Sequence, residues 1–364
     1  MMKKMLIMSE HIQGGGVEKI MFNVIKYFSL HYEIHILTNH NDKEASNIYP
    51  GIKHNYIHCG VHIINVLDKI YGKIRKLFFI YCYLKIYKFD IAIAFQEGPS
   101  MQLIAQTNIP LKIAWVHSDF INIHWTKGYF RKQTELECMR KFKNVVCVSE
   151  LALRSVKKNV GDPGNLIKIY SPVDEEDILS KSEEEVADML KPDGKLLFIT
   201  VGRLSGEKGY ERLLKNCLKL NKEGFDYELW IVGEGSQATV LKGYIDKHNL
   251  LNVHLLGKKA NPYKYMKLAD WFICSSISES FGLVIQESVI LKLPVITTDN
   301  LGACEIFNIK MHGMIVENSE QGLYDGMHKA LTNPWLSKIY KKRMLQDGTH
   351  YSIRENMQQI EQLF

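Results

Sequence analysis

The turn Gly202-Arg203-Leu204-Ser205-Gly206-Glu207-Lys208-Gly209 holds two cations five residues apart between glycines, directly after the apolar run Leu196–Val201. Arg203 offers a planar fork and Lys208 a point charge, which together suit a diphosphate. An exposed basic turn is the competing reading. A P-loop is disfavoured, because it needs Lys-Ser/Thr directly after its second glycine. A second constellation, Ser278-Glu279-Ser280-Phe281-Gly282-Leu283-Val284-Ile285-Gln286-Glu287, follows the run Trp271–Cys274. A helix beginning near Phe281 would turn the N–H groups of Phe281, Gly282 and Leu283 toward an anion. Glu279 then lies just ahead of the helix and Glu287 about two turns along it, so that both carboxylates can accept from ligand hydroxyls. A capped helix with Glu287 on a solvated face is the plainer alternative. The third feature, Gly14-Gly15-Gly16-Val17-Glu18, stands between the run Met5–Met8 and a helical pattern ending near Phe28. Glycines at such a turn admit a ligand to the backbone, although the triplet is not the dinucleotide fingerprint and a bare turn is equally open.

The elements that must position these turns follow from periodicity. In the first half Met5–Met8, Glu33–Leu37, Ile91–Phe95, Lys112–Val116 and Val145–Val148 are short apolar runs separated by helical patterns. In the second half Leu196–Val201, Glu228–Val232, Val253–Leu256, Trp271–Cys274 and Pro294–Thr297 repeat the arrangement. Such alternation predicts an α/β fold with parallel sheets covered on both faces, and ligands bind outside the carboxyl ends of such strands. The chain of 364 residues is long enough for two domains at roughly 100–200 residues each. Ser171-Pro172-Val173-Asp174, between the short run Leu166–Tyr170 and an acidic helical stretch, marks the expected boundary. Domains of 1–172 and 173–351 are expected, with a final helix over 352–364 returning to pack on the first.

Composition narrows the function classes. Hydrophobic residues are 46% and charged residues 24%, which excludes a disordered or fibrous chain. The longest apolar stretch, Leu77–Leu84, is far short of the roughly 20 residues that span a bilayer. The basic N-terminus loses its apolar run at Met8, so no signal peptide and a cytoplasmic location are expected. Seven scattered cysteines without a Cys-x-x-Cys pair suggest buried thiols rather than disulfides or zinc. Residues 1–172 hold 23 Lys and Arg against 13 Asp and Glu, whereas the remainder holds 23 against 27. The first half therefore faces something anionic.

Gly202–Leu214, Gly233-Glu234-Gly235 and Glu279–Glu287, met in this order, resemble the second domain of the family 4 retaining glycosyltransferases, and Gly14–Glu18 resembles the glycine-rich loop of the first. The resemblance covers nearly the whole chain. It implies the GT-B fold, two Rossmann-like doubly wound domains with a cleft between them and a nucleotide-sugar held mainly by the second. It further implies that Arg203 and Lys208 hold the donor diphosphate, that Glu287 holds the ribose hydroxyls, and that Glu279 holds hydroxyls of the transferred sugar. On the same resemblance Gly202, Gly233, Glu234, the N–H groups of Phe281, Gly282 and Leu283, and the Gly15-Gly16 turn would complete the donor site, with His117 near the sugar; a core histidine is the alternative for His117. Ser171-Pro172 replaces the family's usual Asn-Pro linker.

No Asp-x-Asp occurs in the chain, so no metal and no other cofactor is expected, with Arg203, Lys208 and helix N-termini neutralising the departing diphosphate. The segment 68–90 interleaves six cations with aromatic and aliphatic residues, which fits a helix lying on an anionic membrane surface or an ordinary helix packed on a sheet. The resemblance implies a polyprenyl-diphosphate-linked saccharide as acceptor, in capsule, exopolysaccharide or lipopolysaccharide synthesis at the inner face of the cytoplasmic membrane. A GT-B enzyme with a soluble acceptor is the alternative. A nucleic-acid-binding role is disfavoured, since the basic half carries no recognised motif.

Overall fold

A computed structural model describes residues 2–10, 15–38, 53–56, 80–122, 124–130, 132–300, 302, 309–346 and 353–364. The chain divides into two compact units, Met1–Pro172 with Arg354–Phe364, and Val173–Ile353. Each unit is built on one all-parallel sheet.

The first sheet contains β1 (Lys3–Ser9), β2 (Tyr32–Thr38), β3 (Lys53–Tyr56), β4 (Ile91–Ala94), β5 (Leu111–Val116), β6 (Asn144–Cys147) and β7 (Leu166–Lys168), in the order β3-β2-β1-β4-β5-β6-β7. The second contains β8 (Leu196–Val201), β9 (Tyr227–Val232), β10 (Val253–Gly257), β11 (Trp271–Cys274), β12 (Val295–Thr298) and β13 (Gly313–Val316), in the order β10-β9-β8-β11-β12-β13. Strand order reverses beside the first strand of each sheet, where Met8 pairs with both Leu37 and Ala94, and where Phe198 pairs with both Leu229 and Trp271. In each sheet two chains of crossovers leave this point in opposite directions, and ligands of such sheets bind outside the carboxyl ends of the strands that flank it.

The central strands are buried on both faces, as their unbroken apolar runs require: Met5–Met8, Ile91–Ala94, Trp271–Cys274 and Val295–Thr298 have almost no exposure. The helices that cover them are amphipathic. Gly16–Phe28 buries Ile20, Met21, Val24, Ile25 and Phe28, and Tyr210–Lys222 buries Tyr210, Leu213, Leu214, Cys217 and Leu220. Side-chain caps start three others: Ser149, Asp174 and Ser319 accept from the N–H groups of Ala152, Asp177 and Gly322. The two strands that periodicity does not reveal are four-residue strands at sheet edges: β3 is the polar run Lys-His-Asn-Tyr, and β13, Gly-Met-Ile-Val, follows a short helix with no turn residues to set it off.

Of the segment 68–90, residues 68–79 lie outside the described residues. Residues 80–87 are helical, with Ile80 and Tyr83 buried and Tyr83 hydrogen-bonded through its hydroxyl to His35 Nδ1 at 2.8 Å, while Tyr81, Lys85 and Ile86 are exposed. Four of the five described cysteines are buried, and burial pushes Cys138, Cys147 and Cys217 up to about 12.

The terminal helix Ile353–Glu361 belongs to the first unit from Arg354 onward. It turns Met357, Ile360 and Leu363 inward and Gln358, Gln359 and Glu361 outward. Phe364 packs edge-on against Phe28 and Tyr32, and Lys143 Nζ donates to the Leu363 carbonyl at 3.2 Å. Ile360 has no exposed surface, so Ile360→Ala should cost about 2–5 kcal/mol of stability in this unit. Urea unfolding checks this: the earliest midpoint should fall, and an unchanged midpoint would show that the helix contributes nothing.

Candidate active site

In the second unit the turn after β8 is held by backbone. Gly202 N–H donates to Val232 at 3.0 Å, Leu204 N–H to Glu234 at 2.8 Å, and Gly233 N–H to Gly257 at 2.9 Å. Gly233 has φ 152° and lies so close to Gly202 that any Cβ would fall on the Gly202 carbonyl oxygen. Gly233 and the Glu234 main chain therefore brace the cation-bearing turn, and the Glu234 side chain is exposed. The turn presents its two cations differently. The Arg203 side chain is 75% exposed and lies 3.6 Å from Glu207, free to swing onto an incoming anion. Lys208 turns inward and pairs with Glu279 Oε1, which also accepts from Ser276 Oγ at 2.8 Å. Burial works to lower the Lys208 ammonium, but the facing Glu279 carboxylate and its hydrogen bond outweigh it, and the net shift is upward. A small cavity is lined by Thr200, Lys208, Tyr210, Ser276 and Glu279.

The helix after Glu279 begins at Leu283, later than periodicity places it. Gly282 sits at its cap with φ 73° and ψ 44°, a left-handed conformation that no helix interior can contain. The first-turn N–H groups without intrahelical acceptors are thus those from Leu283 onward, while Phe281 lies ahead of the helix. Glu287 is on this helix but buried, and it accepts from Tyr263 Oη at 3.3 Å, so the solvated-face reading is overturned.

One residue that the sequence reading missed organises this loop. Arg212, on the helix after Lys208, donates to the Ser275 carbonyl from Nε at 3.0 Å and Nη2 at 2.7 Å, to the Ser276 carbonyl at 2.9 Å and to Asn318 Oδ1 at 2.8 Å. Ser275 Oγ in turn donates to the Lys208 carbonyl at 2.7 Å. These bonds fix the loop after β11 against the turn after β8. Its partners lie 63, 64 and 106 residues away, so nothing in the local sequence around Arg212 announces the role.

In the first unit Gly15 caps the helix Gly16–Phe28, and both glycines are exposed. His117 stands at the carboxyl end of β5 and is buried. Its N–H donates to Glu97 Oε2 and its Nε2 bonds to the Phe95 carbonyl, both at 2.9 Å. With Nε2 as donor, Nδ1 is the lone-pair nitrogen of the neutral ring. Burial pushes its pKa down, against the upward pull of Glu97 and the Phe95 carbonyl. Glu97 also accepts from the Trp125 indole at 3.1 Å. Glu10, the other carboxylate missed in sequence, accepts from Ser100 N–H at 2.7 Å and Oγ at 2.5 Å.

Comparison with known proteins bears directly on this geometry. Residues 14–177 match the family model Glycosyltransferase Family 4 and residues 181–348 match Glycosyl transferases group 1. The chain is a family 4 glycosyltransferase of the GT-B fold. The enzyme is 27% identical over 360 residues, 94% of each chain, to the N-acetylgalactosamine-N,N'-diacetylbacillosaminyl-diphospho-undecaprenol 4-alpha-N-acetylgalactosaminyltransferase of Campylobacter jejuni. Its fold matches that of Anabaena Alr3699/HepE in complex with UDP-glucose, with TM-score 0.79, 16% identity and coverage of 99% and 98% of the two chains. It also matches a glycosyltransferase from Rickettsia africae, with TM-score 0.75, 19% identity and coverage of 100% and 97%.

Two outcomes follow. Gly233→Ala forces a side chain into the Gly202 carbonyl at a backbone angle that costs on the order of 1–3 kcal/mol, so nucleoside diphosphate affinity measured by titration calorimetry should fall by roughly tenfold or more. For His117 the folded pKa lies below the ordinary value of about 6.5, so below that pH the unfolded chain binds the proton more readily and stability falls with acid. Urea midpoints at pH 5.5 and 7.5 should therefore differ less in His117→Gln than in the wild type; an equal difference would remove His117 as the cause.

Proposed function

We propose that the enzyme transfers a hexosyl or N-acetylhexosaminyl unit from a UDP-sugar to a hydroxyl of a polyprenyl-diphosphate-linked saccharide, with retention at the anomeric carbon and without a metal. The observation that carries the reading is the meeting of Lys208, Glu279 and the first turn of Leu283–Ile290 at the strand-order reversal between β8 and β11. A diphosphate arriving there would draw Arg203 from its exposed position and share the Lys208 ammonium, while the N–H groups around Gly282 and Leu283 donate to its oxygens. Release of Glu279 from part of its pairing lets that carboxylate accept from hydroxyls of the transferred sugar. Glu287 would accept from the ribose hydroxyls, with the Tyr263 hydroxyl orienting it.

A front-face route fits these roles: the leaving phosphate oxygen takes the proton of the attacking hydroxyl, the new glycosidic bond forms on the same face, and Glu279 makes no covalent bond. The two cations then carry the negative charge that grows on the diphosphate. Similarity along 94% of both chains to an enzyme named for a diphospho-undecaprenol substrate supports the lipid-linked acceptor. Among the described residues no helix is long and apolar enough to cross a membrane. The reading places the meeting with such an acceptor at the cytoplasmic face, by peripheral contact. The exposed Tyr81, Lys85 and Ile86 of segment 68–90 support that contact.

Proton NMR of the first-formed product should show the donor's anomeric configuration, and inversion would remove the front-face route. Turnover should survive EDTA and fall by roughly 100-fold or more in Arg203→Ala and Lys208→Ala. Loss in EDTA with recovery on adding Mg²⁺ or Mn²⁺ would assign the charge to a metal instead.

A further inference from the structure

The helix Leu336–Gln346, opened by the Trp335 carbonyl, which accepts from Ile339 N–H at 3.1 Å, has two unlike faces. Leu336 and Tyr340 pack on the core of the second unit, Tyr340 edge-on to Trp271, and Met344 is fully buried. The opposite face carries Trp335, Ile339 and Leu345, exposed to 56%, 40% and 66%. At about 100° per residue these three fall with Lys338 and Lys342 in one sector of about 120°, and Lys341 and Arg343 flank it on either side. No acidic residue occurs in 335–346.

Several lysines of the same unit are neutralised locally, whereas those on this helix are not. Lys181, Lys191, Lys215, Lys259 and Lys267 each pair with a carboxylate. Among the described residues Lys338, Lys341, Lys342 and Arg343 pair with none, and Arg343 instead lies over the Tyr340 ring at 5.3 Å. Four unpaired positive charges around an exposed tryptophan and two aliphatic side chains match one surface chemically: anionic lipid head groups above acyl chains. The rings and aliphatics enter the boundary while the lysine stems reach up to phosphates. A protein partner would seat the apolar residues in a dry core, which charges at every turn oppose. A nucleic acid would use the cations but has no use for Ile339 and Leu345.

We propose that the face Trp335–Leu345 of the second unit is a docking surface for anionic membranes. The proposal depends neither on segment 68–90 nor on the chemistry of transfer.

Trp335 provides its own reporter, since Trp115, Trp230 and Trp271 are buried and Trp125 is half-buried and bonded to Glu97. The full chain, with no donor or acceptor present, is mixed with vesicles of phosphatidylglycerol and phosphatidylcholine whose acyl chains are brominated. Fluorescence should be quenched, and the quenching should disappear in Trp335→Phe. Flotation should weaken roughly 25-fold in K338Q/K342Q, at roughly fivefold per cation removed, and pure phosphatidylcholine vesicles should bind poorly. Nucleoside diphosphate binding should stay at the wild-type level in both variants, which separates this surface from the donor site. Absence of vesicle binding, flotation of K338Q/K342Q at the wild-type level, or quenching that persists in Trp335→Phe would overturn the proposal. Binding of a single-stranded RNA oligomer that depends on Lys338 and Lys342, without vesicle binding, would assign the face to nucleic acid instead.

Discussion

The ion pair between Lys208 and Glu279 joins two loops 71 residues apart in sequence, and the rest of the second unit is arranged around it. Two charges taken largely out of water are costly unless each is paired and the remaining lone pairs are satisfied. Here the Ser276 hydroxyl supplies a further donor to Glu279, and Arg212 holds the carbonyls of the same loop. Gly202 and Gly233 let the turn after β8 settle directly on the end of β9, so that Lys208 is held by main chain rather than by a mobile loop. An anion that shared the Lys208 charge would meet an ammonium already held in place by main chain and by Glu279.

The first unit treats its own strand-order reversal in another way. Glu10 after β1 and Glu97 after β4 are both buried carboxylates, but neutral N–H and O–H donors of the same unit satisfy them. Glu97 fixes the loop that carries His117 and Trp125, and Glu10 fixes the start of the helix at Ser100. The exposed Gly15 and Gly16 then remain as backbone open to a ligand. Equivalent places in two similar sheets thus serve different ends, one a cation paired through a single strong contact, the other a set of rigidifying hydrogen bonds.

Charge is divided between the units as well as within them. The excess of Lys and Arg lies in residues 1–172, and the second half is acidic in sum. Against that background the unpaired cations of Lys338–Arg343 are a local reversal that net charge conceals. Average charge reports long-range attraction, but it says nothing of whether each cation has a neighbouring carboxylate.

Periodicity alone identified most strands of both sheets, because central parallel strands are buried on both faces and must be apolar without interruption. The resemblance carried by Arg203, Lys208, Glu279 and Glu287 led to the family because the order and spacing of those residues are local in sequence. What sequence could not decide was long-range or conformational. The edge strand β3 is polar and β13 is not set off from the helix before it; the left-handed Gly282 delays the helix to Leu283; and Glu287 is buried, with a hydrogen bond from Tyr263 of a distant segment. The pairing of Lys208 with Glu279, the bracing by Arg212 and the buried carboxylates Glu10 and Glu97 exist only once the strands are ordered about the reversal point. The sequence determined which groups could meet; the tertiary structure decided which did, because parallel crossovers bring together loops whose separation along the chain carries no pairing signal.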